Sequence, residues 1–71
     1  MLWLSTLDLE RRLTALLALK RAFPSLQNSR ECAYLIDRVS GELAPSAKRL
    51  AELARRAERI AEDLKEELEA A

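Results

Sequence analysis

Residues Pro45 to Ala71 read PSAKRLAELARRAERIAEDLKEELEAA, and this run decides the fold. It holds no glycine, and its only proline is its first residue. Leu50, Leu53, Ala57, Ile60 and Leu64 recur at alternating steps of three and four, which lines them up on one face of a helix. Ala47, Ala54, Ala61 and Leu68 lie one step beside that row and widen it into a stripe. The spacing predicts a long helix over 45–69. Pro45 is expected at its first helical position, where a missing N–H leaves nothing unpaired.

Two shorter helices are expected upstream. Gly41, the only glycine, suits the left-handed residue that closes a helix, so the second helix is read over 29–40. Asn28 with Glu31 three residues later has the spacing of a capping box at its start. Its inner face is Cys32, Leu35, Ile36 and Val39, with Arg30, Asp37 and Arg38 outside. The first helix is read over 7–22, capped by Ser5 or Thr6, with Asp8 and Glu10 at the positive end of its dipole. Leu9, Leu13, Leu16, Leu17 and Phe23 form a wide apolar arc that calls for two neighbouring helices. Asp8, Arg11, Thr14, Ala18 and Arg21 are assigned to its outer side. Pro24 stops it, because the residue before a proline avoids helical angles. Met1 to Leu4 is a short apolar arm carrying Trp3.

The expected architecture is all-α: one small domain, 1–71, of three helices. At 1.5 Å per residue the third helix spans roughly 38 Å, the first about 24 Å and the second about 18 Å. Neither short helix can cover the long one, so its far end is expected to be covered by self-association. Leu43, Leu50, Ala57 and Leu64 also follow a seven-residue repeat, with Leu53 and Ile60 at the second seam position of a coiled coil. Leu50, Leu53, Ala57, Ile60, Leu64 and Leu68 are therefore the candidate self-association residues.

Charge sets an orientation for that pairing. The chain carries 12 basic and 12 acidic residues and is formally neutral. Residues 44–61 hold five basic and two acidic groups, net +3, whereas 62–71 hold one basic and five acidic, net −4. Antiparallel long helices would set opposite charges side by side; a parallel pair would stack like charges at both ends. An antiparallel homodimer is the expectation.

The same inventory limits the chemistry. Without histidine the commonest general base and metal ligand is missing, and one glycine cannot build a phosphate loop. Cys32 lies on an apolar face and is read as a buried, unreactive thiol. The carboxylates Glu62, Asp63, Glu66, Glu67 and Glu69 face away from the leucine stripe and are read as a solvated surface. No catalytic residue, metal or cofactor is assigned, and the chain is not expected to be an enzyme. A lone cysteine, no signal-peptide pattern and no apolar run near 20 residues lead to a cytoplasmic protein without a membrane span.

The functional expectation is a non-catalytic protein-interaction or assembly module. An adaptor, a regulator or inhibitor of a larger complex, or a small phage or accessory protein would fit. Trp3 is the candidate partner anchor. The alternative is a small nucleic-acid-binding regulator. Its phosphate contacts would come from Arg11 and Arg12 on the first helix and Lys48, Arg49, Arg55, Arg56 and Arg59 on the third, if these converge.

Overall fold

A computed structural model describes residues 5–71; the terminal arm with Trp3 lies outside the described residues. Helix α1 covers Thr6–Ala22 and is followed by a 3-10 turn at Pro24–Leu26. Helix α2 covers Arg30–Leu43 and helix α3 covers Ala47–Ala70. The described residues are all-α.

Each helix begins at a serine. The Ser5 hydroxyl accepts the Asp8 N–H at 3.2 Å, and the Asp8 carboxylate accepts the Ser5 N–H in return, closing a capping box. Ser29 accepts the Cys32 N–H at 3.2 Å and Ser46 the Arg49 N–H at 3.1 Å. The expected Asn28 cap is thus one residue early. Asn28 belongs to the turn that follows the 3-10 segment, and the extended backbone a cap needs first occurs at Ser29. Pro45 likewise precedes the cap of α3 instead of opening the helix.

The end of α2 departs furthest from expectation. Gly41 sits inside the helix, and Ala44 takes the left-handed conformation, φ 44° and ψ 54°. Its N–H donates to the Ser40 carbonyl at 2.8 Å. Continuing past Ser40 puts Leu43 in line with Ile36 and Val39, where it packs on the core. Pro45 then bars Ala44 from right-handed helical angles, so the chain turns there. Packing of Leu43 outweighs the propensity of Gly41 to stop the helix.

Helix α1 is the centre of the molecule. It packs against both α2 and α3, which make no contact of similar extent with each other. Leu13, Val39 and Leu53, one from each helix, form the buried cluster, with Leu9, Leu16, Leu17, Ile36 and Leu43 around it. The wide apolar arc of α1 does meet two neighbours. Leu35, however, is 46% exposed at the edge of the inner face assigned to it.

Thr14 and Ala18, assigned to the outside, are buried together with Ala22. They are spaced by four, as are the buried Leu53, Ala57 and Ala61 of α3. Small residues on both helices let the backbones approach closely. The Thr14 hydroxyl is satisfied by the Glu10 carbonyl at 2.7 Å, so burying it leaves no polar group unpaired.

The end of α2 yields a prediction opposite in sign to the sequence reading. A Cβ at Gly41 would meet nothing within 4 Å, so Gly41→Ala should stabilise by about 0.5–1 kcal/mol. Ala44→Gly should stabilise by about 1 kcal/mol by removing the left-handed penalty. Urea denaturation of the two variants checks both. Loss of stability in Gly41→Ala would show that this residue is the helix terminator after all.

Candidate interaction surface

The α1–α3 seam fixes what the rest of α3 can do. Arg49, in the first turn of α3, donates from Nε and Nη2 to the two carboxylate oxygens of Glu10, the latter at 2.7 Å. Its remaining Nη1 donates to Glu52 at 2.7 Å. A two-pronged guanidinium–carboxylate pair is directional as well as strong. At the other end of α1, Arg21 approaches Glu58 at 3.8 Å, with both side chains about half exposed. Early residues pair with early and late with later, so α1 and α3 run parallel, and α2 returns between them in sequence. The exposed Arg21–Glu58 pair adds little energy; the largely covered Arg49–Glu10 fork sets the register.

This register leaves α3 half used. Its length, about 36 Å, accounts for the 38 Å long axis of the molecule. Leu53, Ala57 and Ala61 are at most 2% exposed, buried against α1. Leu53 and Ala57, proposed from the sequence as self-association residues, are consumed within the chain. Of the others, Leu50 is 41%, Ile60 42% and Leu68 52% exposed, and Leu64 is half-buried. Past Ala61, helix α1 has ended, and α3 continues for about 14 Å, carrying Leu64 and Leu68.

Two shallow grooves flank the outer edge of α1 and share Ala15. One, between α1 and α3, is lined by Arg11, Thr14, Ala15, Arg56 and Ile60. The other, between α1 and α2, is lined by Arg12, Ala15, Leu16, Leu19, Leu35 and Val39. Together they make an apolar band edged by three arginines. Neither groove was legible from the helical periodicities, because each is shared between elements distant in sequence. Glu10 was likewise read only as a dipole-favoured acid, although its place beside Leu9 and Leu13 puts it at the rim of the inner arc.

The basic residues proposed for nucleic-acid contact fall on several surfaces. Arg11 and Arg56 line the first groove and Arg12 the second. Arg49 is engaged by Glu10 and Glu52. Lys48, Arg55 and Arg59 are exposed on α3, where Arg59 adjoins Arg21, Glu58, Glu62 and Asp63. Cys32 is buried in the first turn of α2. Among the described residues, no cluster of His, Cys, Asp and Glu could hold a metal, and no helix is long and apolar enough to cross a membrane.

Compared with known protein families, curated proteins and solved structures, the chain matches none.

Two carboxylates report on this architecture through pH. Hydrogen bonding from Arg49 holds Glu10 below its ordinary 4.5, and bonds from the Ser5 hydroxyl and N–H hold Asp8 below 3.8. Folding therefore favours the ionised forms. Their contribution is complete above the unfolded values and is lost as pH falls through the lowered folded ones. Stability should decline below about pH 4.5, and Glu10→Gln should be less stable at neutral pH but show a shallower acid decline. Thermal melts from pH 7 to pH 3 check this; identical pH profiles would mean that the fork does not hold α1 to α3.

Proposed function

We propose that the chain is a non-catalytic interaction or assembly module, an adaptor or a regulator of a larger complex, working as an antiparallel helical homodimer. The observation that carries the reading is the apolar row of α3 running on beyond the end of α1, with Leu68 and Ile60 uncovered. A chain of 71 residues is near the size at which one core suffices only marginally, and a second copy would add the missing burial. The net +3 and −4 halves of α3 favour the antiparallel arrangement. A lone buried thiol such as Cys32 is at home in a reducing cytoplasm, where we place the protein.

Light scattering across a micromolar concentration range tests the reading. It should give twice the 8.1 kDa of one chain. Replacing Ile60 and Leu68 by Asp should weaken association tenfold or more per position, since each removes roughly 1.4 kcal/mol or more of apolar burial. Helicity by circular dichroism should persist, because both side chains lie outside the buried cluster. A strict monomer at every concentration would overturn the proposal, and an unchanged dimer mass in the double variant would move the interface off α3.

A further inference from the structure

We infer that the groove between α1 and α3 receives the acidic end of α3 from a second copy, with the two-fold axis passing beside Ile60. The inference rests on the self-association proposed above and names its surface. Positions 56, 60, 63 and 67 follow helical spacing of four, three and four, so Arg56, Ile60, Asp63 and Glu67 form one strip along the side of α3. That side is the groove side: Arg56 and Ile60 line it, together with Arg11 and Ala15 of α1. The strip is basic before Ile60 and acidic after it. Turned about an axis at Ile60, it becomes its own complement, as an isologous interface requires.

Counting outwards from that axis fixes the partners. With Ile60 beside Ile60 of the second copy, Arg56 stands opposite Asp63 of the second copy. One turn further, Arg11, reaching in from α1, stands opposite Glu67 of the second copy. The neighbouring Leu64 and Leu68 of the second copy then lie beside Ala15 of the groove. Among the described residues, Arg11 and Arg56 make no salt bridge, in contrast to Arg49, Arg21 and Arg38. Asp63 and Glu67 are exposed and, among the described residues, make no salt bridge either. Arg56 on the strip and Arg11 beside it on α1 match the two anions of the strip, which is the balance reciprocal docking consumes. A foreign partner helix would need only the arginine half.

A charge exchange in the full-length chain tests this. One variant carries Arg11→Glu with Arg56→Glu, the other Asp63→Lys with Glu67→Lys. Each alone should dissociate at least tenfold more readily than the wild-type chain, because like charges meet in both grooves, and circular dichroism should show each still helical. Mixed in equal amounts they should restore a dimer containing one chain of each, read by native mass spectrometry. Adding 0.5 M salt should weaken the wild-type dimer and tighten the single-type pairs. Wild-type-like dimers from either variant alone, with no gain on mixing, would overturn the groove assignment while leaving self-association intact. A monomeric wild-type chain would instead remove the homodimer itself.

Discussion

The Arg49–Glu10 fork and the small-residue seam beside it form the constraint on which the rest depends. Thr14, Ala18 and Ala22 on one helix and Ala57 and Ala61 on the other offer little side-chain volume to set a register. A seam of alanines can slide by a turn at modest cost, since one methyl group resembles the next. The fork removes that freedom. Its two N–H donors and two carboxylate oxygens are matched in only one alignment, and Glu52 takes the remaining donor group of Arg49.

Once the register is fixed, the allocation of surface follows. Leu53 falls on Leu13 and meets Val39, giving a core fed by all three helices. Parallel alignment of α1 with α3 from their first turns means that the mismatch in their lengths collects at one end. Spread over both ends, a few uncovered residues would be fraying. Collected at one end, they are a helical arm with an apolar row on one side and carboxylates on the other. The α1–α3 groove arises from the same alignment, because Thr14 and Ala15 are too small to fill the space between Arg11 and Arg56.

Much of this architecture was legible in the chain. Three helices, their order, the stop at Pro24 and the wide arc of α1 all follow from leucine spacing and proline position. The misses have physical causes. Thr14 and Ala18 were placed outside because small residues carry weak hydropathy, although smallness is what suits them to a close seam. Gly41 was read as a terminator from propensity alone, whereas the packing of Leu43 two residues further along α2 and the bar imposed by Pro45 decided the boundary. The seam through Leu53 and Ala57 has one period whether it packs within a chain or between chains, so periodicity could not divide the stripe. Three-dimensional register divided it. The fork joins residues 39 positions apart, and each groove joins residues of different helices, so nothing local encodes such pairs.

The central proposal is that α3 is covered by its own α1 as far as Ala61 and by a second copy beyond it. Hydrogen exchange along α3, measured at several protein concentrations, tests that claim most directly. Amides over 47–61 should already be protected when the protein is dilute. Those over 62–70 should exchange quickly when dilute and slow progressively as concentration rises. Protection over 62–70 that is unchanged by concentration, whether high or low, would contradict the account.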